Sequence, residues 1–160
     1  GMTADDLQHN LEKSIASVPG IVGVSNHTGS RFTRDRDSMQ ALMEVIQRRG
    51  LFFVDSRTHP ETVAFHVAVE NGIPAAHRDV FLDHHRSWAE VHAAFERARD
   101  LAAKRGQALL IAHPHDLTLR YLEERLPSLP NGAIVPVQEF IGSGGRAIVA
   151  LPKNPAFAHR

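Results

Sequence analysis

Three turns in this chain place chemically competent side chains directly after short apolar runs. Ile21 to Val24 leads into Asn26-His27-Thr28-Gly29-Ser30-Arg31, Leu51 to Val54 into Asp55-Ser56-Arg57-Thr58, and Leu109 to Ala112 into His113-Pro114-His115. An imidazole at His27 can offer a ring nitrogen to a metal if its other nitrogen is held by a carbonyl or carboxylate, and Asn26 and Ser30 are placed to fix the loop around it. A His in a polar loop is equally an ordinary hydrogen-bonded turn residue, and Gly29 needs only a backbone reason, a positive φ before the next helix. The Arg57 guanidinium, two residues after Asp55, can orient that carboxylate or bind an oxyanion bidentately, which would serve acyl transfer. The plain alternative is an ion pair that holds a helix start. Pro114 biases His113 toward an extended backbone, and His115 reads as exposed and incidental. Arg78, Asp79 and Asp83 lie on a further strand-end loop, where Asp79 either joins the site or caps the turn.

These residues acquire meaning from the elements that would carry them. Thr3 caps a first helix whose Asp5 and Asp6 suit its positive end and whose Leu7, Leu11 and Ile15 recur every fourth residue. Asp35 to Arg49 reads as a second helix with Met39, Leu42, Met43 and Ile46 inward and Gly50 as its carboxyl cap. Pro60 suits the first turn of a third helix ending at Asn71-Gly72, followed by a strand over residues 73–77. A fourth helix runs from Ser87 to Arg105 with Trp88, Val91, Phe95, Ala98 and Leu101 on one face, and a fifth runs from Asp116 to about Leu126. Ala133 to Val137 reads as another strand, and Ala147 to Leu151 as an edge strand before a loose tail.

Strands that are apolar throughout, alternating with helices, define an α/β fold with a parallel sheet and helical crossovers. Turns after such strands lie at their carboxyl edge, where sites are built, so His27, Asp55, Arg57 and His113 are expected to converge on one face of one sheet. Residues 2–137 are expected to form the α/β domain, and 138–160 an extension.

Composition narrows the classes. The 18 basic and 18 acidic residues balance, which argues against nucleic acid or an anionic membrane as the main partner. The absence of Cys excludes disulfides, thiolate metal sites and a cysteine nucleophile. Eleven His are present, most of them scattered without metal-ligand periodicity. No apolar run is long enough for a transmembrane helix, and the acidic start, Met2-Thr3-Ala4-Asp5-Asp6, is unlike a signal peptide. No Gly-x-Ser-x-Gly elbow, phosphate-binding loop or dinucleotide fingerprint occurs.

The stretches N-H-T-G-S-R-F-T, R-G-L-F-F-V-D-S-R-T, R-D-V-F-L-D and I-A-H-P, in this order, resemble the divergent polysaccharide deacetylase family. The resemblance covers about residues 10 to 137 and implies the later part of a deformed (β/α)7 barrel, a divalent metal such as zinc, and hydrolysis of acetyl groups on a glycan. It implies His27 as metal ligand, His113 as general acid, Asp55 and Arg57 as catalytic electrostatic groups, and Asn26, Ser30, Arg31 and Asp79 as substrate contacts. Family members are usually exported. They also carry, upstream of the Asn-His-x-Gly-Ser motif, a strand ending in paired aspartates and another bearing a His. Neither precedes His27 here, so the resemblance implies an incomplete or inactive deacetylase, a portion of a longer enzyme, or a non-catalytic domain that binds a glycan or another partner. With His27 as the one placed ligand, weak metal binding and little acetate release are expected.

Fewer strands than a closed barrel requires leave a sheet edge to be covered, so a homo-oligomer is expected. Light scattering at micromolar concentration should report a mass above that of one chain; a clean monomer would refute the expectation.

Overall fold

The computed structural model describes residues 3–142. The strand expected over Ala147 to Leu151 and the tail beyond it lie outside the described residues. The fold is mixed α/β, with parallel strands joined by helical crossovers. Backbone contacts group the chain into two compact units, Gly1–His77 and Arg78–Arg160, each with its own apolar core.

In the first unit, helix α1 (Ala4–Ala16) opens on a capping box. The Thr3 hydroxyl accepts from Asp6 N–H at 3.1 Å, and the Asp6 carboxylate accepts from Thr3 N–H at 3.1 Å. Strand β1 (Gly23–Ser25) follows, then α2 (Arg36–Arg48), β2 (Phe52–Asp55), α3 (Ala64–Glu70) and β3 (Ala75–His77). The three strands form one parallel ladder in the order β1-β2-β3, with Ser25 opposite Val54 and Asp55 opposite His77. Asn26, Asp55 and His77 therefore reach the same, carboxyl end.

Helix α2 supplies most of the core. Met39, Met43, Val45 and Ile46 are fully buried against Phe53, Val67 and Ile15, in the register expected from their spacing. Each such side chain contributes roughly 1.5–3 kcal/mol through burial. Helix α3 starts at Ala64, later than Pro60 suggested. Residues 58–63 instead form a turn whose Thr62 hydroxyl donates to Asp55, a use of Thr that competes with helix formation.

The second unit contains β4 (Val80–Phe81), α4 (Trp88–Arg105), β5 (Leu110–Ile111), α5 (Asp116–Arg125) and α6 (Val137–Gly142). Strands β4 and β5 pair in parallel, Val80 with Leu110 and Phe81 with Ile111. Helix α4 is capped by the Ser87 hydroxyl and closed by Gly106 at φ +90°, as its sequence pattern required. Val91, Ala94, Phe95 and Ala98 pack with Leu82, Val80 and Tyr121. Trp88, expected on that buried face, is 40% exposed, because the first turn overhangs the core and its ring meets only the edge of Tyr121.

No strand forms over Ala133 to Val137. Pro130 to Ala133 make a turn with Gly132 at φ +80°, and Pro136, which lacks an N–H for a ladder, instead accepts from Phe140 N–H at the start of α6. Ile134 and Val137 line an apolar hollow of about 350 Å³ beside Leu110 without joining its ladder.

Gly23 is the tightest packing constraint on the first ladder. It stands opposite Phe52, whose ring occupies the space that a Cβ at Gly23 would need. Gly23→Val should cost about 1–3 kcal/mol in urea unfolding. Phe52→Ala in the same chain should return part of that loss, and additive losses would refute the packing account.

Candidate functional site

Both units place a buried aspartate at a strand end, with different consequences. In the first, Asp55 is fully buried at the end of β2. Its Oδ1 accepts from Arg57 N–H at 2.8 Å, and its Oδ2 accepts from the Thr62 hydroxyl at 3.0 Å and from Phe65 N–H at 3.4 Å. These donors compensate a buried carboxylate and tie the turn to the start of α3. Arg57 takes φ +50°, an uncommon region for a residue with a Cβ, and its bond to Asp55 helps hold it there. Its side chain is exposed.

Asn26 connects β1 to this turn. Its Oδ1 accepts from Ser56 N–H at 2.9 Å, its carbonyl accepts from the Ser56 hydroxyl, and its buried Nδ2 meets no acceptor among the described residues. Ser30 is half-buried and donates to the Thr58 carbonyl at 3.4 Å, while Arg31 is exposed ahead of a short 3-10 turn. His27 is exposed at the rim of a cleft of about 800 Å³ that also includes Val24, Thr28, Phe32 and Leu42.

In the second unit Asp83 follows β4 and is 3% exposed. Its Oδ2 accepts from His113 N–H at 2.8 Å and from the Thr118 hydroxyl at 3.0 Å, and its Oδ1 lies 3.2 Å from His113 Nδ1. Burial pushes this carboxyl up, but the His113 N–H, the Thr118 hydroxyl and the His113 ring together outweigh burial and hold it below its ordinary value of 3.8. The edge of Phe81 packs on the His113 ring, with centroids 5.2 Å apart. His115, the residue before α5, has an extended backbone and a half-buried ring 5.2 Å from that of His113. Asp83, His113 and His115 bring ligand atoms within 4.8 Å of one another, the one group of three His, Asp or Glu among the described residues that could hold a metal ion.

Sequence reasoning put His113 at a strand end but set His115 aside and left Asp83 as a loop residue. The signal available was the Asp two residues after Phe81, matched in parallel register by the His two residues after Ile111. Asp79 reads from the sequence as either a site residue or a turn cap. It lies at the other end of the β4–β5 ladder, where its carboxylate accepts from Leu109 N–H at 2.8 Å and pairs with Arg105 at 3.4 Å. His27, Asn26, Asp55 and Arg57 share one strand end in the first unit; His113 belongs to the second.

Parallel strands joined by helices, with polar groups at their carboxyl ends, define an α/β domain. The sequence pattern of the divergent polysaccharide deacetylase family matches residues 1–141, and the chain belongs to that family. It is 36% identical over 129 residues to the uncharacterized protein YibQ of Escherichia coli K12, covering 81% of this chain and 40% of that protein. It is also 36% identical over 130 residues to an uncharacterized protein of Haemophilus influenzae, covering 81% and 46%. The crystal structure of the uncharacterized protein ATU2773 from Agrobacterium tumefaciens is similar with a TM-score of 0.74 and 25% identity, over 78% of this chain and 50% of that one. The chain thus spans less than half the length of both curated relatives. No helix among the described residues is long and apolar enough to cross a membrane.

The lowered Asp83 carboxyl sets the sign of a pH dependence. Its stabilisation is complete above the ordinary value of 3.8 and is lost as pH falls through the lower folded value. Asp83→Asn should therefore remove part of the acid-induced loss of stability, and near neutral pH should cost about 1–3 kcal/mol. Urea unfolding from pH 7 to pH 2 measures both; parallel curves for the two proteins would refute the assignment.

Proposed function

We propose that this chain carries the acid–base group of a glycan deacetylase, with His113 as proton donor and Asp83 as its positioning carboxylate. The observation that supports this most directly is the double grip of a buried Asp83 on His113, through the main-chain N–H and the ring Nδ1. An ionised carboxylate only accepts, so Nδ1 carries a proton and Nε2 becomes the nitrogen that exchanges one. Asp83 thereby fixes the tautomer and the orientation of the ring.

In hydrolysis of an N-acetyl or O-acetyl group, water adds its oxygen to the acetyl carbon and gives up a proton to solvent, and the bond to the sugar nitrogen or oxygen breaks. The departing atom takes the proton from His113 Nε2 and acetate is released. Loss of that proton transfer typically costs a factor of roughly 10²–10⁴. The divalent metal implied by the family would supply an activated water and a polarised carbonyl. The ligand count at His27 does not fit it: a catalytic zinc takes about three protein donors, and the described residues give His27 no companion pair of His, Asp or Glu.

In the first unit, Asn26, Ser30, Arg31 and His27 are proposed to contact the glycan. Asn26 Nδ2 supports this, since a sugar hydroxyl or acetyl oxygen would give that buried donor its acceptor. Asp55 and Arg57 are proposed to hold this loop in shape rather than to touch the reacting atoms, because both Asp55 oxygens are already taken. The same observation favours a second reading, a domain that binds glycan without cleaving it. A substrate role for Asp79 has no support from its position at the far ladder end.

Acetate release from acetylated chito-oligosaccharides tests the proposal. His113→Asn should lower the rate by about 10²–10⁴ while leaving the unfolding midpoint within a small shift. Equal rates in the two proteins would exclude the acid role. No release from the wild type, with the sugar still perturbing the NMR signals of Asn26 and His27, would establish the binding reading.

A further inference from the structure

We infer that Asp83, His113 and His115 form a binding site for a divalent transition metal of the zinc class, distinct from His27. This rests on the same Asp83–His113 pair as the proposed acid–base group, but adds His115 and a different ligand.

Two imidazoles and a carboxylate are a donor set that zinc and neighbouring first-row ions take, with a position left for water. The spacing of one donor pair suits such an ion, and the third donor lies within 4.8 Å of both. Two ligands bound at about 2.0–2.1 Å in tetrahedral geometry stand roughly 3.3 Å apart, and Asp83 Oδ1 lies 3.2 Å from His113 Nδ1. A charge-assisted N–H···O bond is typically shorter, about 2.7–2.9 Å. The 3.2 Å gap admits a hydrogen bond when no ion is bound and also lies close to the bite of a shared ion.

The supports around the donors are already in place. Asp83 is fixed through its other oxygen by His113 N–H and Thr118, so Oδ1 can serve a ligand without freeing the carboxylate. The Phe81 edge limits tilting of the His113 ring. Residues two apart in an extended segment point to the same face, and this brings the rings of His113 and His115 together, with centroids 5.2 Å apart. The His115 side chain caps nothing at the start of α5. The weak metal binding expected from the sequence counted His27 alone; these donors are others.

A consequence follows for the acid–base role. An ion at His113 Nδ1 replaces the proton there, so binding at neutral pH releases a proton and removes the hydrogen bond that orients the ring. Metal occupancy and proton donation are then alternative states of one histidine, and an ion here would act as an inhibitor of the proposed chemistry.

Calorimetric titration of the full chain with zinc chloride, in two buffers of different ionisation enthalpy, tests the inference. One site of micromolar or tighter affinity is expected, with proton release. His115→Ala should weaken it at least tenfold without altering the circular dichroism, Asp83→Asn should weaken it similarly, and His27→Ala should leave it unchanged. Absence of micromolar binding, or equal affinity in His115→Ala, would overturn the inference, as would loss in His27→Ala alone. These outcomes are separable from the deacetylase reading. Equal zinc affinity in His115→Ala leaves the acid role standing, and equal acetate release in His113→Asn removes the acid role without touching the titration.

Discussion

A carboxylate buried at the end of a parallel strand must find donors, and each unit of this protein is organised around meeting that demand. An unpaired buried charge would be far more costly than any single packing contact is favourable. Asp55 and Asp83 solve the problem with the same kit, a main-chain N–H and a Thr hydroxyl, Thr62 from the turn before α3 and Thr118 from the first turn of α5. The difference lies in where the remaining donors come from. Asp55 draws on its own loop and on the helix that the loop enters, so its bonds are local. Asp83 draws on the neighbouring strand, and one of its partners is an imidazole.

That difference separates an aspartate tied into its own loop from one that holds an imidazole. With both oxygens satisfied locally, Asp55 stabilises an unfavourable backbone at Arg57 and sets the entry to α3. Asp83 is bonded across the β4–β5 ladder to a residue whose ring reaches a half-exposed position, with side-chain exposures of 0% for Asp83 and 38% for His113. A fixed, water-excluded charge behind a solvent-facing imidazole is the arrangement that polarises a histidine for proton transfer or for metal ligation. Under the proposed deacetylase reading the first use has a reaction to serve. The spacing of Asp83 and His113, with His115 alongside, makes the second use chemically available.

In the first unit the polar groups are arranged differently. Asn26 and Ser56 stitch β1 to β2 beyond the ladder, which holds His27 at the rim of an open cleft rather than within a donor cluster. The packing beneath is tight, with the Phe52 ring lying over Gly23 and α2 filling the space behind Phe53. The scaffold under His27 is thus rigid while the surface around it is accessible, a combination suited to recognising a ligand.

Much of this was determined by local sequence. Helix α2 was legible because Met39, Met43 and Ile46 repeat with helical period and Asp35 and Gly50 mark its ends, signals that act within a few residues. Parallel strands followed from apolar runs between amphipathic helices, and the polar turns after them marked His27, Asp55 and His113 as strand-end residues. What stayed hidden depended on which residues meet across the ladders. The register of β4 on β5 decides that Asp83, and not Asp79, faces His113. The fate of Ala133 to Val137 was local instead, since Pro136 lacks a ladder N–H and Gly132 takes a turn, and both residues stand in the sequence. Local patterns act through neighbours in sequence and can be read there. The partner of a buried charge lies thirty residues away, as Asp83 and His113 do, and only folding brings the two together.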